Sequence, residues 1–197
     1  MSKENYATDL SFERSELPME FQDHLHRPLR IGRDLLDLYD RMIGEVHIPT
    51  VLSEVAQVVC ETVHAERASV YLIDRETHEL ESVAVIGNVA RAIRVPIDHH
   101  SLAGYCASDG RAFVVGDAYG DLSEIAPDLV FDRRWDELND FRTRDVMCAP
   151  ALFKGKVMGV VQAVNSQRGK PFGEGDLPGL ETIGRLIGYA LYHAKLY

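Results

Sequence analysis

The sequence predicts an α+β domain: an antiparallel sheet of about six strands with helices from the N- and C-terminal ends packed on one face. Three observations carry the prediction. First, the stretch from Phe141 to Asn165 holds two apolar runs around Lys154-Gly155-Lys156, which reads as a hairpin turn. Val146, Cys148 and Leu152 alternate with Met147, Ala149, Ala151 and Phe153; Val157, Val161 and Ala163 alternate with Met158, Val160, Gln162 and Val164. Both faces are apolar, so both must be covered, with helices on one side and something else, such as a ligand chamber, on the other. Second, apolar stripes at helical spacing lie near both ends of the chain. Third, short strand-like runs separate them, in the order helix, helix, strands, helix, strands, helix.

In chain order, residues 1–26 hold six acids against Lys3 and Arg14, with apolar residues scattered without a period. They read as a flexible N-terminal segment, ahead of a single domain over 27–197. From Pro28 to Val46, Ile31, Leu35, Leu38 and Met42 step by four, three and four, and Gly44 is an end signal. Pro49 suits a first helical position, and Leu52, Val55, Val59 and Val63 mark a second helix to about His64.

Ala68–Ile73 and Leu80–Ile86 read as strands joined by a polar turn. Ile93–Ile97 is a third, set at an edge or a strand end by Pro96. Ser101 is an N-cap for a short helix, Leu102–Ser108, stopped by Asp109-Gly110. Ala112–Val115 is a fourth strand. Residues 121–141 are a long excursion with a short amphipathic helix around Trp135; such excursions serve as lids or binding loops. After the hairpin, a Gly- and Pro-containing loop over 169–175 leads to a last helix beginning near Asp176. There Leu180, Ile183, Ile187, Ala190 and Ala194 step by three, four, three and four, which fits a coiled-coil seam as well as a core-facing stripe. The pattern is unfinished at Tyr197, so an output domain is expected beyond it.

The net charge of −10 argues against nucleic-acid and anionic-membrane binding, which need a basic surface. No apolar run approaches the ~20 residues that span a bilayer, and the N-terminus has no signal core. The three cysteines, odd in number and in apolar surroundings, read as reduced thiols of a cytoplasmic protein. GxSxG, HExxH, GxxxxGK[ST] and CxxC signatures are all absent from the sequence. The sequence therefore carries none of these catalytic signatures, and no enzymatic activity is expected.

The chain resembles a GAF domain through SLAGYCASDGRAFVVGDAY (101–119), NDFRTRDVMCAPALFKGKVMGVVQAVNS (139–166) and PFGEGDL (171–177), within a likeness over roughly 48–194. The resemblance implies an antiparallel sheet, terminal helices on one face and a small-molecule chamber on the other. It implies a sensing role, homodimerisation through the terminal helices and a signal passed to a linked output domain. The flow of residues is also similar to GAF modules of bacterial type II secretion and pilus-assembly ATPases. Cyclic-nucleotide binders of the family carry an Asn-Lys, a Phe and an Asp-Glu. Asn165, Phe172 and Asp176 match, but Ser166 replaces the Lys and Leu177 the Glu. The family's Lys–Asp ion pair is then missing unless Lys170 substitutes, which counts against cyclic nucleotides. A bilin site would need Cys-His, and Cys106 is followed by Ala107. The ligand and any cofactor stay unassigned, and His99-His100 and His24-x-His26 lack a second cluster at metal spacing.

The candidate ligand-binding residues are Ser101, Leu102, Cys106, Asp117, Tyr119, Trp135, Phe141, Arg142, Thr143, Arg144 and Cys148. Arg142 and Arg144 can fork onto a phosphate or carboxylate; alternatively they pair with Asp136, Asp140 or Asp145. Trp135 and Phe141 are either an aromatic lid or core anchors. Cys106 and Cys148 read chiefly as small buried hydrophobes. Two other functions fit the sequence: a dimerisation or docking module with no ligand, resting on the stripes at 31–42 and 180–194, and a thiol-based methionine sulfoxide reductase.

Overall fold

The computed structural model describes residues 48–87 and 92–194. The segment expected over 1–26 and the helix expected over 28–46 lie outside the described residues.

Helix α1 is Ile48–Val63, with Pro49 in its first turn, where a missing N–H costs nothing. Strands β1 (Ala65–Ile73), β2 (Glu79–Ile86) and β3 (Arg94–Pro96) follow. Helix α2 is Leu102–Asp109, and β4 is Phe113–Val115. Helix α3, Arg134–Leu138, lies in the long excursion. Strands β5 (Val146–Phe153) and β6 (Lys156–Ser166), a 3-10 turn at Glu174–Asp176 and helix α4 (Leu177–Ala194) complete the chain. Within the described residues, the elements expected from Pro49 onward are present with ends moved by a few residues.

The six strands are antiparallel in the order β3-β2-β1-β6-β5-β4. Pro96 does stand in an edge strand, where no partner asks for its N–H. The β5–β6 turn is one residue shorter than the expected Lys154-Gly155-Lys156, because Lys156 pairs with Phe153. Lys154 (φ 48°) and Gly155 (φ 75°) form it, both left-handed, as a two-residue hairpin loop demands.

The central hairpin is covered on both sides. Met147, Ala149, Ala151, Val161 and Ala163 face α1 and α4. Val146, Cys148, Val160 and Val164 face α2 and the apolar residues of 118–131. In α4, Leu180, Ile183, Ile187 and Ala190 are 1% exposed or less. That stripe is the core-facing one; it is spent on the sheet and offers no seam to a second helix.

Helix α4 lies unusually close to β5. A Cβ on Gly184 would sit 2.7 Å from the Pro150 carbonyl oxygen, and one on Gly188 would sit 2.5 Å from that of Leu152. The loop before α4 is held by carboxylates. Asp145 Oδ2 accepts the N–H groups of Ser166 (3.1 Å) and Phe172 (3.0 Å). Asp176 accepts the Gly173 N–H at 2.9 Å and pairs with Arg168 Nη2 at 2.7 Å. The ion pair that Ser166 and Lys170 left in doubt is thus supplied by Arg168. Among the described residues, no helix is long and apolar enough to cross a membrane.

Two predictions follow from this packing. Gly184→Ala should lower stability by about 1–3 kcal/mol in urea unfolding, because carbonyl backbone cannot yield to a methyl group. In the same helix Gly179→Ala, with open space around it, should be neutral or stabilising by up to about 1 kcal/mol; equal losses at both would refute the close contact. Burial alone would raise the Asp176 pKa, but the Gly173 N–H and the Arg168 guanidinium overcome it and hold the carboxyl below its usual range. Its stabilising contribution is therefore present above the unfolded value of about 4 and lost as pH falls through the lower, folded value. Arg168→Gln should be less stable than the parent at pH 7, with the gap narrowing by pH 3; a gap independent of pH would exclude the ion pair as its cause.

Candidate functional site

The roof over the second face of the sheet begins at Ser101. Its backbone is extended (φ −152°, ψ 155°), and its hydroxyl accepts the Gly104 N–H at 3.0 Å, capping α2. Gly104 lets the helix press on β3, since a Cβ there would lie 2.3 Å from the Pro96 carbonyl oxygen. This seats Leu102 and Ala103 over the sheet.

The excursion is organised by one carboxylate. Asp136 on α3 is 5% exposed. Its Oδ2 accepts the Thr143 N–H (2.7 Å) and the Tyr119 hydroxyl (2.9 Å), and its Oδ1 accepts the Thr143 hydroxyl (2.7 Å). Its carbonyl takes the Phe141 N–H at 3.0 Å. One side chain therefore joins the start of the excursion, its helix and the approach to β5. Desolvation raises the Tyr119 pKa, and the hydrogen bond to the Asp136 carboxylate raises it further, so the phenol stays protonated as donor. Arg142 and Arg133 lie over the Tyr119 ring, at 3.4 and 4.6 Å from its centre.

Between roof and sheet is a partly open cleft of about 100 Å³. Ser69, Tyr71, Gln162 and Val164 form its floor, and Val85, Ile93 and Val95 an apolar side. Ser101, Leu102, Ala103, Phe131, Trp135, Asn139, Phe141 and Thr143 close over it. Three charged residues line it: Arg67, Asp132 and Asp136. The Arg67 guanidinium lies flat on Phe141, 3.4 Å from the ring centre. Gly87 leaves room for it to run past, since a Cβ there would meet Nε at 2.8 Å. Asp132 is forked by Arg134, with Oδ1–Nε and Oδ2–Nη2 both 2.8 Å. Arg134 accordingly holds the Asp132 carboxyl below its usual range, and the nearby Trp135 indole assists. That indole N–H leans toward Asp132 without closing a hydrogen bond. Among the described residues, Trp135 Nε1 is the buried side-chain nitrogen or oxygen left without a partner.

Of the candidate residues, Ser101, Leu102, Trp135, Phe141 and Thr143 line the cleft. Cys106, Asp117, Tyr119, Arg142, Arg144 and Cys148 do not, each for a visible reason. Cys106 and Cys148 are fully buried in the packed part of the roof interface. Burial pushes both thiol pKa values well up, so neither is a thiolate at neutral pH. Asp117 caps the Tyr119 N–H, and Tyr119 serves Asp136. Arg142 stacks on Tyr119; Arg144 pairs with Glu66 at 3.4 Å, and its N–H goes to Asn165 Oδ1 at 2.7 Å. Neither arginine takes the acidic partners expected for it. His99 and His100 pair with Asp128 and Asp98.

Sequence reasoning missed Arg67, Ser69, Tyr71, Gln162 and Asp136. Gln162 carried a usable signal: a polar side chain inside a run covered on both faces needs a reason to be there. It accepts the Tyr71 hydroxyl at 3.2 Å on the cleft floor. Asp136 was one acid among many in a charged stretch, and only its burial separates it from the rest.

A family model described as GAF domain matches residues 47–191. The chain is 27% identical over 208 aligned positions to a protein of Caenorhabditis elegans described as a probable 3',5'-cyclic phosphodiesterase. The alignment takes in 98% of this chain but 27% of that relative, so the chain spans about a quarter of its length. Among solved structures, residues 122 to 287 of a methyl-accepting chemotaxis protein superpose with a TM-score of 0.66 at 18% identity, covering 81% of this chain and 97% of that one. The free methionine-R-sulfoxide reductase of Neisseria meningitidis, solved with its substrate, gives 0.63 at 21% identity, covering 84% and 90%. At these identities the structural likeness is one of fold.

The Asp136 network predicts an order of costs. Asp136→Asn turns one acceptor into a donor that faces other donors, and should cost about 2–3 kcal/mol; Tyr119→Phe removes one bond from a still-satisfied carboxylate and should cost about 1 kcal/mol. Trp135 is the single tryptophan, so urea unfolding followed by its fluorescence reads both. The reverse order would mean that Asp136 does not hold the roof.

Proposed function

The chain belongs to the GAF domain family, and from that premise we propose that residues 48–194 form a non-catalytic sensing module that binds a small molecule in the cleft and passes the event to an output domain. The observation that supports this reading is the cleft itself, which separates a rigid sheet from a roof fastened largely through one carboxylate. A ligand that touches both layers binds the closed roof better than an open one, and so shifts the balance between them. The roof leads straight into β5, and β5 carries α4 on its other face. The terminal helices are then the route to the output domain, and the faces they turn away from the sheet are the surface for homodimerisation. The similarity to part of a much longer cyclic phosphodiesterase fits a regulatory segment of a longer signalling protein.

Two other readings have less support. A ligand-free docking module rests on the stripes at 31–42 and 180–194; the first lies outside the described residues, and Leu180, Ile183, Ile187 and Ala190 of the second are buried in the core. Thiol-based reduction of methionine sulfoxide needs a thiolate, and burial holds Cys106 and Cys148 protonated, with the Cys60 pKa pushed up to about 11 by burial and by Glu61.

Trp135 reports on the cleft directly. Titration with cyclic GMP, cyclic AMP, purines and aromatic acids, alongside native mass spectrometry of the purified protein, should give a saturable change in its fluorescence and a raised Tm with at least one class. No saturable response and no retained mass would remove the sensing reading.

A further inference from the structure

We propose that the cleft selects a small organic carboxylate, with a body no larger than one ring or a short branched chain, held by Arg67 and Trp135. The proposal rests on the sensing reading and adds the ligand class to it.

Size comes first. Sites for drug-sized ligands occupy roughly 300–1,000 Å³, and an apolar cavity of ~150 Å³ takes benzene. At about 100 Å³ the cleft encloses less than a full ring, so a body of one ring or a short branched chain fills it and extends through its open side, and a nucleotide is too large without rebuilding.

Charge comes second. Both acids that line the cleft are committed: Asp136 accepts from Tyr119 and twice from Thr143, and Asp132 is forked by Arg134. Arg67 differs. One face is taken by Phe141 and its stem runs past Gly87, where a Cβ would collide with it, yet among the described residues no carboxylate or carbonyl meets its N–H edge. A stacked guanidinium keeps its donor edge in a fixed plane, which is the arrangement that forks onto a carboxylate.

The third observation is the buried Trp135 Nε1–H without a partner. An unsatisfied buried donor carries a cost that an incoming acceptor relieves. Both oxygens of a carboxylate take the Arg67 fork, and the second lone pair of one can accept the indole N–H. Val85, Ile93 and Val95 supply the dry wall for the attached apolar body. A ligand without an acceptor would leave both donors unmet, and a neutral carbonyl would meet them without the charge that strengthens the Arg67 contact.

The test uses the whole chain, with benzoate, its neutral isostere benzamide, isovalerate and cyclic GMP as probes, read by calorimetry. Benzoate should bind saturably and benzamide at least tenfold more weakly. Arg67→Met should weaken benzoate at least tenfold and Arg67→Lys by less, since charge survives but the fork does not. Trp135→Phe, which keeps the ring and loses the N–H, should weaken it three- to tenfold. Circular dichroism checks each variant's fold, and Arg67→Lys carries the test if Arg67→Met fails to fold. Equal binding of benzoate and benzamide, or benzoate affinity unchanged in the foldable Arg67 variant, overturns the proposal. Cyclic GMP binding while both small acids fail overturns it too, but leaves the sensing reading standing. Failure of every probe here and in the wider fluorescence panel removes both.

Discussion

Val146 through Ala151 of β5 are buried on both sides of the sheet, so the strand has no face left for water. Its neighbour β6 is nearly as enclosed. Removing both faces from solvent requires two separate covering layers, and the two are made differently. On one side α1 and α4 lay down continuous apolar stripes, a non-directional contact that stabilises by area. On the other, short pieces of chain are stitched over the sheet with hydrogen bonds between bulky apolar anchors.

That asymmetry shapes what each layer can do. Apolar stripes lose stability steadily as they separate. A carboxylate with fixed donors is directional: it is satisfied in one geometry and costly in others. The roof therefore has a defined closed arrangement through Asp136, and beneath it Arg67 and Trp135 line space that the protein does not fill. The sheet and helices give the site rigidity, and its polar groups come from both layers, Arg67 from β1 and Trp135 from the excursion.

What could be read from the sequence was local. The Ser101 cap, Pro49 in a first turn, Pro96 in an edge strand and the alternation of the hairpin each follow from a residue and its near neighbours. The cleft floor is not of that kind. Ser69 and Gln162 meet because β1 pairs with β6, and no pattern within either strand states that pairing. Arg67 likewise acquires its role from Phe141 and Gly87, both distant in the chain. The stripe on α4 was ambiguous for a different reason: the same spacing serves a seam and a core, and the sheet decides. Arg168 took the ion pair because the turn after β6 swings it, not Lys170, toward Asp176.

Gly184 and Gly188 have a mechanical consequence. Between most helices and sheets a cushion of side chains absorbs small displacements by changing rotamer. Here the helix axis rests on bare carbonyls of the strand, and at those points the cushion is missing. Tilt or slide of β5 is handed to α4 with little slack, so the pair behaves as a stiff crank joining the roofed side of the sheet to the end of the chain.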